Sequence, residues 1–302
     1  MALKDIKTKI RATERMHKVT RAMEAVSAVK MRKTQASALQ GRAYARAALA
    51  ILTRLAGTRH VKEHELGRER DGHRLALVVI TSDKGLAGAL NSGVIKRAVE
   101  AIETRAKEDV VIYAYGRKGE EYFARRGYRI ARAFLNKQDE VPLSVMQELV
   151  AELTDGFRAG TYDKVIAVYP NFKSTFEQVP TMRRLLPLSL PALADIVEGI
   201  APVKGKWADE AAIEAPSEYE VEPSGEEVLS LLIPKLVAVA LYHMLLEAKA
   251  SEHSARMVAM KNASDKSKEV TRDLNRVYNK ARQAAITREV SEIVGGREAL
   301  SV

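Results

Sequence analysis

SGEEVLSLLIPKLVAVALYHMLLEAKASEHSARMVAMKNASDKSKEVTRDLNRVYNKARQAAITREVSEI, residues 224–293, is the stretch whose reading decides the fold. Ser224 followed three residues later by Glu227 spells a capping box, which satisfies orphan N–H groups at a helix entrance. From there to Ile293 the sole proline is Pro234, which should bend the helix unless the helix begins there. Asn262-Ala263-Ser264-Asp265 is poor in helix formers but holds no breaker. If continuous, about 70 residues rising about 1.5 Å each make a rod of about 100 Å. A compact body of this chain's length has a radius of gyration of only about 19 Å, so such a rod is expected to project from the globular part.

The other end of the chain has the same grammar. Leu3 to about Leu55 contains no proline, and its one glycine is Gly41. Apolar residues recur at Leu3, Ile6 and Ile10, then at Met16, Val19, Met23 and Val26, which predicts a helix with a narrow seam. Gly57 is a plausible stop, followed by a charged tract to about Arg74. Two seamed helices at opposite ends of a chain most simply pack on each other. Alanines at 255, 259, 263, 281, 284 and 285 would permit close approach, and short connectors require an antiparallel pair.

Between them the pattern changes. Leu75–Ile80 and Val110–Tyr115 are apolar, β-rich runs, and Lys164–Tyr169 is a third. Helical patterns intervene near 92–107, 118–126 and 142–157. Buried strands alternating with helices predict a parallel sheet covered on both faces. After Val179-Pro180 the run to Leu190 reads as an edge strand limited by Pro187 and Pro191. Residues 191–223, rich in Pro, Ala and acid, read as a connector. The expected architecture is α/β: a long antiparallel coiled coil of the terminal helices (1–57 and 224–302) with a Rossmann-like domain (74–223) inserted between them.

Charge narrows the partners. Residues 1–33 hold ten Lys/Arg against three Asp/Glu, and residues 249–298 hold eleven against seven, so these two stretches account for the whole net charge of +10. Basic ends point to nucleic acid or to an acidic protein surface. The apolar seam and the scarcity of aromatics in the basic run leave no stacking platform for nucleic acid. The chain has no cysteine, which excludes disulfides, thiolate metal sites and a cysteine nucleophile. No apolar run approaches the roughly 20 residues of a membrane span, so membrane contact is expected only through a partner.

Sites of chemistry are scarce. Asp83-Lys84-Gly85-Leu86-Ala87-Gly88 lies between a strand and a helix but matches neither phosphate-binding glycine pattern, so its glycines read as serving a tight turn. His60 and His64, four residues apart, have the spacing of helical metal ligands, but their charged surroundings favour a solvated loop. No catalytic, metal or cofactor site is expected.

Three passages carry a resemblance. They are Ser251-Glu252-His253-Ser254-Ala255-Arg256-Met257-Val258-Ala259-Met260-Lys261, then Val277-Tyr278-Asn279-Lys280-Ala281-Arg282-Gln283-Ala284-Ala285-Ile286-Thr287-Arg288-Glu289, and the central Thr81-Ser82-Asp83-Lys84-Gly85-Leu86-Ala87-Gly88-Ala89-Leu90-Asn91. With Lys18-Val19-Thr20-Arg21-Ala22-Met23-Glu24 and Lys30-Met31-Arg32-Lys33, the chain resembles throughout its length the gamma subunits of bacterial F-type ATP synthases. The resemblance implies a non-catalytic rotor shaft inside a ring of three alpha and three beta subunits. Its foot would meet epsilon and the c-ring at the cytoplasmic side of the bacterial plasma membrane, with no nucleic acid partner. By the same resemblance Met23, Arg256, Met260, Lys261, Arg282, Gln283, Thr287 and Glu289 are expected to face the ring. Ala87 stands where some members carry a cysteine, and the redox-regulatory insertion of the chloroplast form is absent.

Overall fold

The computed structural model describes residues 3–56, 64–136, 141–188 and 225–300. Helix α1 spans Leu3–Ala56, and β1 is Leu75–Ile80. Helix α2 (Leu90–Ile102) leads to β2 (Val110–Tyr115), and α3 (Arg117–Ala124) to β3 (Arg129–Phe134). Helix α4 (Leu143–Arg158) precedes the hairpin of β4 (Lys164–Ser174) and β5 (Glu177–Leu186). The last element, α5, runs unbroken from Gly225 to Leu300 through Pro234 and through Asn262–Asp265. Ser224, Gly57, His60 and the connector 191–223 lie outside the described residues.

The chain divides into two compact units, Met1–Ser27 with Met257–Val302, and Ala28–Arg256. The second holds a five-stranded sheet of order β3-β2-β1-β4-β5. The first four strands are parallel and β5 closes the edge antiparallel to β4. Side chains alternate across a strand, so Leu75, Leu77 and Val79 pack with Val94, Ala98, Ile102 and Phe123 of α2 and α3. Ala76, Val78 and Ile80 enter the other layer, with Leu149, Leu153 and Phe157 of α4 and Ile233, Leu241 and Leu245 of α5.

Three sequence expectations need correction. The strand β3 was not foreseen: its Arg-Ile-Ala-Arg-Ala-Phe text carries arginines that an edge position leaves in solvent, Arg132 pairing there with Glu148 and Glu152. His64 is buried, not solvated; the Leu66 amide donates to its Nδ1 at 3.2 Å and its Nε2 meets Ser230 Oγ at 3.2 Å. With Nδ1 accepting, the ring proton sits on Nε2, facing the serine. Helix α5 does hold an 18-residue window of mean hydropathy 1.6, long and apolar enough to cross a membrane by composition. In this fold 61% of that window is buried, and Ile233, Leu236, Val237, Leu241 and Leu245 of the same helix belong to the sheet's core.

One ion pair ties strand entries together. Arg74, just ahead of β1, donates Nε and Nη2 to the buried carboxylate of Asp163, just ahead of β4, at 3.1 and 2.9 Å. The guanidinium's hydrogen bonds hold Asp163 below the ordinary carboxylate range, against the opposing effect of burial. A depressed carboxylate adds stability above its unfolded value near 4 and loses it as pH falls through the lower folded value. Asp163→Asn is therefore expected to lower the urea midpoint at pH 7, and the gap from the parent should close as pH drops below about 4. A gap that widens in acid would contradict the pairing.

Candidate partner interface

In the unit formed by the chain ends, the α1 seam follows a strict three-four alternation: Leu3, Ile6, Ile10, Thr13, His17, Thr20 and Ser27 are buried or half-buried, with Glu24 completing the series. On α5 the matching series is Met260, Ser264, Ser267, Thr271, Leu274, Tyr278, Ala281 and Ala285. His17 Nδ1 lies 3.0 Å from both the carbonyl oxygen and Oγ of Ser264, which fixes the register of the pair. Small and hydroxyl side chains let the backbones approach; Thr20 Oγ1 donates back to the Met16 carbonyl at 2.9 Å and Ser267 Oγ to the Ala263 carbonyl at 2.8 Å.

The seam read from sequence is thus displaced after Ile10. Continuing the heptad from Ile10 lands on Thr13, His17 and Thr20, whereas Met16, Val19, Met23 and Val26 lie one residue earlier, about 100° around the helix. Met16, Val19 and Val26 are 58%, 58% and 55% exposed, and Met23 is half-buried. On α5 Ile286, Val290, Ile293 and Val294 are likewise exposed. Both helices therefore carry apolar stripes that nothing among the described residues of this unit covers, on the same stretches that hold the basic excess.

The eight residues expected at the ring divide into two groups. Lys261, Arg282, Gln283, Thr287 and Glu289 are exposed and Met23 is half-buried, Thr287 donating only to the Gln283 carbonyl of its own helix at 3.0 Å. Met260, 5% exposed, occupies the seam. Arg256, in the sheet-bearing unit and 9% exposed, bonds Glu252 Oε1 at 2.6 Å and the Gly85 carbonyl at 3.4 Å. Glu252 lies one turn away on α5, whereas Gly85 is 171 residues distant in the chain and nothing in the local text announces it.

In the sheet-bearing unit the loop after β1 is a built turn. Leu86 and Gly88 take left-handed conformations, φ 62° and 57°. Ser82 and Asn91 bond reciprocally across it, and the buried Asp83 carboxylate accepts from the Arg117 amide at 2.9 Å, opening α3. Burial, reinforced by the Asp83 charge, pushes the Tyr115 phenol up to about 12. Strand order reverses between β1 and β4, the crevice where open α/β sheets take ligands. Here α5 fills it: Lys249, 2% exposed, donates to Asn136, and Asn136 Nδ2 donates to the Thr81 carbonyl at 3.0 Å. No cluster of three or more metal-ligating side chains occurs among the described residues.

A helical pair with partner-seeking faces, joined to a sheet whose ligand crevice is plugged by its own helix, defines a structural stalk subunit. A profile of the family described as ATP synthase matches residues 2–300. The ATP synthase gamma chain of Staphylococcus saprophyticus is 36% identical over 99% of both chains, and that of Roseiflexus castenholzii 39% identical over 99% of this chain and 98% of its own. A central-stalk chain of the Tetrahymena thermophila mitochondrial ATP synthase superposes with TM-score 0.60 at 25% identity, covering 82% of this chain and 99% of its own. A chain of the Euglena gracilis mitochondrial enzyme gives TM-score 0.64 over 99% of this chain and 94% of its own, a likeness of fold at 18% identity. The chain belongs to the ATP synthase family, among its gamma chains. A gamma chain is a stalk subunit of a membrane-associated complex and not itself catalytic.

Proposed function

We propose that this chain is the rotating shaft of a proton-translocating bacterial ATP synthase, turned by a c-ring at its foot together with epsilon. Three alpha and three beta subunits would surround its terminal helices at the cytoplasmic face of the plasma membrane, and the shaft would drive the beta subunits through their conformations in turn. The reading is carried by the outward apolar stripes of α1 and α5 and their concentrated positive charge. Exposed charge pairs are each worth only about 0–1 kcal/mol, so numerous weak contacts suit a surface that must slide within its bearing.

Met23, Lys261, Arg282, Gln283, Thr287 and Glu289 are proposed to touch the ring directly. Arg256 and Met260 serve the same contact indirectly, by holding α5 against its in-chain partners. Co-purification on a tag carried by this chain tests the reading: alpha and beta should follow in a three-to-three-to-one ratio, and their absence would refute it. The isolated chain should neither hydrolyse ATP nor bind it at micromolar strength in calorimetry, because α5 occupies the sheet's crevice and no phosphate loop is present.

A further inference from the structure

Within the sheet-bearing unit, α5 changes character along its length. From Ile233 to Ala248 its contacts are mostly apolar core, interrupted by the buried His243 and Glu247, which lie 3.5 Å apart on the same face. Its last residues in that unit, 249–256, carry a polar set instead. Lys249 bonds Asn136 beyond β3; Ser251 Oγ donates to the Pro170 carbonyl of β4 at 2.9 Å. Ser254 Oγ donates to the Thr175 carbonyl in the β4–β5 turn at 2.7 Å, and Arg256 reaches Gly85 after β1 at 3.4 Å. Ser251 and Ser254 are fully buried.

Their directions matter more than their number. At about 100° per residue, Lys249 and Arg256 project within about 20° of each other, and Ser251 and Ser254 project from roughly the opposite side. The helix is therefore held on two sides, by the loops after β1 and β3 and by the β4–β5 hairpin. The hydrophobic driving force is non-directional and by itself sets no preferred azimuth. Hydrogen bonds weaken steeply off their preferred angle. Bonds at opposing azimuths resist rotation of a helix about its own axis as a key resists turning in a slot.

We propose that Lys249, Ser251, Ser254 and Arg256 form a torsional collar that locks α5 to the sheet domain, so that rotation of one is delivered to the other without twist being lost at their junction. The collar rests on the rotor reading above and adds the residues through which torque leaves the sheet domain. These are positioning residues; none is asked to touch the ring or a nucleotide.

The test uses the assembled complex, fixed by its ring. The chain has no cysteine of its own, so Glu103→Cys, at the exposed end of α2, gives one bead attachment point on the sheet domain. The angular variance of the paused bead reports rotor stiffness. In Ser251→Ala/Ser254→Ala it should rise about twofold or more over the parent, whereas Leu245→Ala, which loosens only apolar packing of the same helix, should raise it distinctly less. If the double variant does not assemble, Ser254→Ala alone decides, with a smaller rise. Unchanged variance in the serine variants, or an equal rise in Leu245→Ala, overturns the collar. A parent bead that never rotates with ATP refutes the rotor reading instead, so the two failures are distinguishable.

Discussion

Gly116→Ala is expected to destabilise the chain by about 3–5 kcal/mol, the sum of two separate costs. Gly116 closes β2 and opens α3 at φ 105°, a conformation L side chains rarely adopt. Backbone strain of that kind costs about 1–3 kcal/mol. A Cβ there would also lie 2.0 Å from the Thr81 carbonyl oxygen, backbone that cannot step aside. That carbonyl is already committed to Asn136 and the Gly116 amide to Phe134, so relief means breaking bonds at the ends of three strands. Gly127→Ala is the internal control: φ is 76° but nothing stands within 4 Å of its Cβ, so only a conformational cost of about 1–2 kcal/mol is expected. Urea unfolding of the two variants should separate their midpoints clearly. Equal midpoints would mean that the close approach of Gly116 to Thr81 is not rigid.

How much of this was legible follows from what each residue must satisfy. The helices α1 and α5 were legible because a missing breaker over fifty or more residues is a property of the local text. Strands β1, β2 and β4 were legible because strands covered on both faces need unbroken apolar runs. β3 was hidden because it needs β2 on one edge only, and Arg129 and Arg132 are as well suited to solvent as to a loop. His64 was misread for a related reason: its neighbours Lys62, Glu63 and Glu65 are charged, and nothing nearby in sequence announces Ser230. On α1 the apolar types at Met16, Val19, Met23 and Val26 point to one face as inward, and the structure buries the face one residue on. The inward series is Thr13, His17, Thr20 and Ser27; the hydroxyls of Thr13 and Thr20 bond carbonyls of their own helix and so can be buried cheaply, and His17 meets Ser264. Polarity alone does not say which face is inside when the partner helix is itself lined with serine.

That displaced register carries the other large prediction. Val19→Asp/Val26→Asp places two carboxylates on a face exposed in this chain, and exposed substitutions usually change stability by no more than about 0.5 kcal/mol each. The isolated chain should therefore keep nearly its parental unfolding curve. Ring capture should fall about tenfold or more, since each carboxylate would be desolvated without a partner and every 1.4 kcal/mol lost is a factor of ten. Thr20→Asp, one residue from Val19 but in the buried seam, should do the reverse. It forces a charge against α5 where the Thr20 hydroxyl bonds Met16, and it should cost the helical pair about 1–3 kcal/mol or more before any ring is present. The two measurements, unfolding of the chain alone and capture of alpha and beta, thus move in opposite order for neighbouring residues. If Val19→Asp/Val26→Asp unfolds the terminal helices as Thr20→Asp does, those valines are seam residues. The face offered to the ring would then have to lie elsewhere on α1.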